Sequence, residues 1–257
     1  MKVLKLTNGI TAVQELCRVL ENRTLDSNTH SVLTWNANVC GGFARWACSP
    51  RIDSPLPTDI DIFPASEEDY ETLNFICGNV MNLVRENEIA VTFQIRHGFL
   101  KEQKVQLIKP PTEKTNTAIT LSGNVHEVIE QFDFSICRVG FPLCSGMMFP
   151  GDDVEVFYGY PVGDDDFEHD EEHQIIRLVH SHCPISSLAR AIKYVKKGYN
   201  LPIHKMVDFF VDWDTRTKEY QEKLKENMRK IGDMIEGEGD KMSDEEFWEM
   251  ERLLWID

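Results

Sequence analysis

Apolar residues recur at helical spacing along residues 9–22, where Val13, Leu16, Cys17 and Leu20 form one stripe of a predicted amphipathic helix. A short strand is expected at 35–40, ending in Gly41-Gly42, and a short helix should follow through Phe43, Ala44, Trp46 and Ala47. Residues 49–57 combine prolines with small polar residues and read as loop. The next strand is predicted at 59–63, and Ser66 is placed to cap a helix over 67–86 whose stripe is Tyr70, Leu73, Ile76, Val80 and Leu83. Strands are expected at 89–96, 104–108 and 132–139, with a short helix near 125–131. The stretch 151–172 is rich in Gly, Asp and Glu and reads as a surface loop, with one strand at 154–158. Helices are predicted at 186–197, 215–235 and 244–255.

Strands interleaved with helices and then a helical run predict an α+β fold: a mixed-sheet core over residues 1–140, and a mainly helical C-terminal region over 141–257 that completes the cleft. The length of 257 residues suits one large domain or two small ones. A net charge of −16 repels polyanions at long range, so any contact with nucleotide or nucleic acid must rest on a local basic patch or on bound cations. The seven cysteines include no CxxC pair and sit mostly among apolar residues, which reads as reduced core thiols. With no apolar leader and no run of about 18 apolar residues, the expectation is a cytoplasmic chain with no membrane partner.

The informative chemistry lies in Gly41-Gly42-Phe43-Ala44-Arg45, a loop, and then Asp59-Ile60-Asp61-Ile62-Phe63. Alternate side chains on a strand share a face, so Asp59 and Asp61 point one way while Ile60 and Ile62 point into the core. Paired carboxylates repel unless a cation lies between them, and hard oxygen donors suit Mg²⁺, with Mn²⁺ as the alternative. Paired glycines let backbone N–H groups approach a phosphate with no Cβ in the way. Farther on, Phe132-Asp133-Phe134-Ser135-Ile136-Cys137 places a charged residue between two phenylalanines in an otherwise apolar stretch, where it needs a partner.

A Gly-Gly turn, a short helix and a strand carrying Asp-x-Asp resemble the signature of the DNA polymerase β-like nucleotidyltransferase superfamily. Ser187-Leu188-Ala189-Arg190-Ala191-Ile192-Lys193-Tyr194-Val195-Lys196-Lys197-Gly198-Tyr199 resembles the helix that follows this core in several viral and phage-like members. The resemblance spans residues 36–199, and the spacing from Gly42 to Asp59 is longer than in the tightest form of the motif. It implies Asp59, Asp61 and Asp133 as catalytic, metal-binding carboxylates. Gly41, Gly42, Arg45, Arg190 and Lys193 are implied at the nucleotide. The implied reaction is attack of a hydroxyl on a nucleoside triphosphate, ATP being the commonest, with pyrophosphate leaving. An RNA end, a protein or a small molecule could each be the acceptor.

Other readings stay open at this level. Asp-x-Asp also occurs on solvated strand edges, and a catalytically silent nucleotide- or partner-binding module could keep the same fold. Arg45 could serve as an ion-pair partner instead of touching phosphate. Arg190, Lys193 and Lys197 share one helix face opposite Leu188, Ala191, Ile192 and Val195, which also describes an ordinary solvated helix. His169-Asp170-Glu171-Glu172-His173 matches the zinc-protease pattern H-x-x-E-H, but its setting in a charge run speaks for a solvated loop. His180-Ser181-His182-Cys183 lacks a partner pair for a soft-metal site.

Overall fold

A computed structural model describes residues 1–21, 33–51, 54–111, 121–146, 155–179, 184–202, 217–219, 221–222 and 225–226. Its elements run in chain order as β1 (Lys2–Val3), α1 (Ile10–Leu20), β2 (Asn36–Cys40), α2 (Gly42–Cys48), β3 (Asp59–Pro64), α3 (Glu67–Val80), β4 (Met81–Glu86), β5 (Ala90–Ile95), β6 (Lys104–Ile108), α4 (Val125–Ile129), a 3-10 turn (Ser135–Cys137), β7 (Val139–Gly146), β8 (Glu155–Tyr158), β9 (Val162–Gly163), α5 (Phe167–Glu172) and α6 (Pro184–Lys196). The fold is α+β on a mixed sheet, as the alternation of elements predicts. The strand order is β1-β9-β7-β2-β3-β6-β5-β4, with β8 also paired to β7. Among these pairs, β3 and β6 run parallel and the others antiparallel.

Alternation assigns each sheet face its content. Val39, Ile60, Ile62, Val105, Leu107 and Phe93 point into the main core, where Val13, Leu16, Phe43, Ala44 and Leu73 from α1, α2 and α3 meet them. Each large side chain buried there is worth about 1.5–3 kcal/mol. On the opposite face, Cys40 and Phe63 pack with Val125, Val128 and Ile129 of α4 in a smaller cluster. The cap at Ser66 is as expected: its Oγ accepts from the Asp69 N–H at 3.1 Å, and three acidic residues occupy the first turn of α3, where the helix dipole favours them. Asp69 Oδ1 in turn accepts from the Asn36 N–H at 2.8 Å, tying α3 to the start of β2.

Three expectations are corrected. The helix predicted over 67–86 ends at Val80, and Met81–Glu86 is strand β4, because its backbone pairs with β5. The strand predicted over 132–139 begins only at Val139; Ser135–Cys137 is a 3-10 turn, with Phe134 C=O accepting from the Cys137 and Arg138 N–H groups. In the stretch 151–172 the strand expected at 154–158 is present as β8, but the rest of its described part is not loop alone: it also carries β9 and α5, and Asp170 and Glu171 of α5 are fully buried.

The chain divides into two compact units, Met1–His173 and Gln174–Asp257. Strands β7, β8 and β9 and helix α5 all belong with the first unit. Within the second unit, Ile175 bridges Asn200 in parallel and α6 buries Ser187 and Ala191, four residues apart. Ile192 and Val195, expected on the apolar face of that helix, are about half exposed. The His180–Cys183 stretch and most of the two helices expected beyond 215 lie outside the described residues; residues 218–219, 221–222 and 225–226 are helical. Among the described residues, no helix is long and apolar enough to cross a membrane.

Candidate functional site

Strand β3 presents Asp59 and Asp61 on the face opposite the main core, both partly exposed, while Ile60 between them is fully buried. Asp59 Oδ2 accepts from Thr58 Oγ1 at 3.1 Å. Asp61 pairs in register with Cys40 of β2, and antiparallel partners share a face. The Cys40 thiol is pushed well above its ordinary value, first by complete burial and then by the negative charge of Asp61. Burial likewise pushes Cys48 and Cys77 up to about 12, so these thiols stay protonated near neutral pH.

The Gly-Gly turn closes directly onto this strand. Gly41 has φ +73 and ψ −136, a conformation open to glycine and strained for other residues. A Cβ there would stand 3.3 Å from Asp61 Oδ2 and 3.8 Å from the Phe132 ring. One point of backbone is thus flanked by a carboxylate of β3 and by the residue preceding Asp133. The Phe132 ring also packs edge-on to Phe63, with centroids 5.8 Å apart, and Phe63 shares the face of Asp59 and Asp61. The turn around Asp133 therefore lies on the aspartate side of the sheet, and Asp133 itself is 5% exposed.

Strand β6 adds residues that the motif reading did not single out. Lys104 is in register with Asp59 and Gln106 with Asp61, so both stand beside the carboxylates on the same face. On the next strand Gln94 and Thr92 continue these two polar rows. The signal was available in Lys-Val-Gln-Leu-Ile, where polar residues alternate with core residues, but only the parallel pairing of β6 with β3 brings it to the aspartates.

Two partly exposed carboxylates beside a glycine turn form a donor set that suits Mg²⁺, which takes one or two protein carboxylates and completes its shell with water and phosphate oxygens. Among the described residues, no group of three or more His, Cys, Asp or Glu side chains is placed to hold a metal ion. Asp59, Asp61 and Asp133 accordingly do not form a ready-made three-carboxylate shell.

Arg45 has the ion-pair role. It is 7% exposed, and its Nη1 donates to both carboxylate oxygens of Glu171 at 3.3 Å. Ser49 Oγ donates to Glu171 Oε1 at 3.0 Å, and Ser135 Oγ donates to Asp170 Oδ2 at 2.6 Å. The two histidines of the H-x-x-E-H match stack with ring centroids 4.4 Å apart, and His169 Nδ1 is 3.1 Å from Asp170 Oδ1. The pattern thus starts on a six-residue helix and ends at its C-cap, His173; residues 170 and 171 are buried, while Glu172 is exposed.

No protein-family model matches the sequence, and a comparison with curated proteins finds no match. Among solved structures, the chain is similar to a tRNA-processing enzyme complex at 15% identity and TM-score 0.44, over 68% of this chain and 42% of the other. It is also similar to a CCA-adding enzyme solved in complex with ATP, at 13% identity and TM-score 0.46, over 99% of this chain and 69% of the other. The chain therefore spans less than half the length of the first of these neighbours. Similarity of this degree is too low to carry an activity from either neighbour to this chain.

Proposed function

We propose that this chain is a nucleotidyltransferase, moving a nucleoside monophosphate from a nucleoside triphosphate to a hydroxyl acceptor with release of pyrophosphate. The observation that supports this most directly is the Gly41 turn held against Asp61, with the Asp133 turn reaching it through Phe132. In this reading, backbone N–H groups at Gly41-Gly42 orient the triphosphate, with no side chain to block its approach. Asp59 and Asp61 would hold Mg²⁺, which when bound neutralises triphosphate charge and stabilises the leaving pyrophosphate. Asp133 works on the acceptor side, orienting the attacking hydroxyl. Lys104 balances the charge of the carboxylates beside it. Arg190 and Lys193, on α6 of the second unit, are proposed as anion-binding residues in their own right. An RNA end, a protein and a small molecule remain the acceptor classes to be sorted.

A second reading, a catalytically silent nucleotide- or partner-binding module, is favoured by one observation: the three aspartates do not form a three-carboxylate group. One experiment separates the two. The chain is incubated with each labelled nucleoside triphosphate, Mg²⁺ and cell extract, and both pyrophosphate and labelled acceptor are measured. Label transfer that disappears in Asp61→Asn supports the enzyme. Nucleotide binding without pyrophosphate release supports the silent module, and wild-type turnover in Asp61→Asn would falsify the assignment of this strand.

A further inference from the structure

We propose that Asp170 and Glu171, neighbours on α5, are positioning residues for two different turns of the site: Asp170 sets the turn carrying Asp133, and Glu171 sets the helix that follows Gly41-Gly42. What the turns are positioned for rests on the nucleotidyl-transfer reading; the linkage itself rests on geometry within the first unit.

Both carboxylates are fully buried, yet they reach in different directions. Asp170 Oδ2 accepts from Ser135 Oγ at 2.6 Å, a short charge-assisted bond. Ser135 lies two residues after Asp133 and opens the 3-10 turn, whose 2.9 Å bond from the Cys137 N–H to the Phe134 C=O makes it a stiff unit. Fixing Ser135 therefore fixes the backbone from which Asp133 projects. Glu171 instead accepts from Arg45 Nη1 and Ser49 Oγ. The Arg45 N–H donates to the Gly41 C=O at 2.8 Å and closes the first turn of α2. Holding Arg45 in the middle of that short helix and Ser49 at its C-cap fixes the angle at which Gly41-Gly42 leaves β2.

Stability alone does not call for this arrangement. Well-packed apolar residues in place of a buried ion pair are often as stable or more so, because two charges must be stripped of water. A satisfied buried polar network does select one arrangement of the elements it joins. Here it joins two turns far apart in sequence that meet at Gly41, where a Cβ would stand 3.3 Å from Asp61 and 3.8 Å from Phe132.

The test uses the full-length chain with Ser135→Ala and Ser49→Ala, each removing one hydroxyl while its carboxylate keeps another partner, His169 or Arg45. Hydrogen exchange without ligand should speed up at residues 132–138 in the first variant only, and at residues 41–48 in the second only. With the nucleotide and acceptor found by labelled transfer, Ser135→Ala should lower kcat roughly tenfold to a hundredfold at unchanged KM for the nucleotide. Ser49→Ala should raise that KM about tenfold and leave kcat near wild type. Ser135→Thr, which restores the hydroxyl, should recover both exchange and kcat. Equal loosening of both segments in either variant, or no loosening in either, overturns the proposal. So does the same kinetic change in both variants. If the wild-type chain transfers no nucleotide, the exchange measurement still decides the linkage, so failure of the nucleotidyl-transfer reading is told apart from failure of this one.

Discussion

The molecule holds two pairs of closely spaced acidic residues, and their surroundings are opposite. Asp59 and Asp61 are two residues apart on a strand, share one face, and remain partly open beside a turn of bare backbone. Asp170 and Glu171 are adjacent on a helix, are fully buried, and receive Ser135, Arg45 and Ser49 as donors, with His169 against Asp170. The first pair lies partly exposed on the sheet face, where the proposed reading puts a cation and a phosphate. The second spends its acceptor capacity inside the protein and holds chain segments together. Acidic spacing alone does not separate a site from a brace; what surrounds the oxygens does.

The comparison breaks most sharply if the two pairs respond alike to loss of charge. Asp61→Asn should lower transfer by several kcal/mol of barrier, roughly a thousandfold or more in rate, and leave the melting temperature no lower than wild type. Pyrophosphate release and calorimetry on the same preparation check both halves. Arg45→Ala should act the other way round. It strands the Glu171 charge in the interior and should cost about 3–5 kcal/mol of stability, read from urea unfolding. A stable, active Arg45→Ala protein would show that Glu171 is not held as a buried anion.

Two smaller effects sharpen the contrast. Gly41→Ala should destabilise the chain by about 1–3 kcal/mol, since alanine is strained at this positive φ, and the added methyl crowds Asp61. The same variant should lose nucleotide affinity in equilibrium titration, because the turn must shift. Lys193→Ala, on an exposed position of α6, should change stability by less than about 0.5 kcal/mol. Its expected signature is a loss of triphosphate or acceptor affinity of no more than about tenfold, shrinking as salt rises. Unchanged affinity at low salt would return that helix to a solvated surface role.

The outward pair was legible in the sequence and the inward pair was not. Alternation of Asp, Ile, Asp and Ile states both the strand and the face, and Gly41-Gly42 needs only local geometry to be noticed. Asp170 and Glu171 stand in a run of acidic residues, which alone reads as solvated. Their burial depends on Arg45, 126 residues away, and on Ser135, 35 residues away. Lys104 and Gln106 were hidden for the same reason, since only the parallel register of β6 on β3 makes them neighbours of the aspartates. Asp133 was expected on a strand, and the structure places it just before a 3-10 turn. Alternating Phe132, Phe134 and Ile136 imitate a strand, whereas Ser135 bonded to Asp170 opens a 3-10 turn there. Helix α3 shows the reverse failure: its apolar stripe runs on at helical spacing through Leu83, but pairing with β5 overrides local preference after Val80.

The pairing of β1 with β9 sets a timetable for synthesis. Lys2 bonds in register with Gly163, and β2 pairs with β7 more than a hundred residues downstream, as with Val39 and Phe141. At roughly 5–20 residues per second on the ribosome, residues 2–3 wait on the order of ten seconds or more for their partner strand to emerge. Strands β3, β4, β5 and β6 find their neighbours within a much shorter stretch, so that half of the sheet can form while the other half is still being made. During that interval β2 carries an open edge, and a chaperone that recognises unpaired strands would meet this chain there, before the Gly41 turn has its second wall.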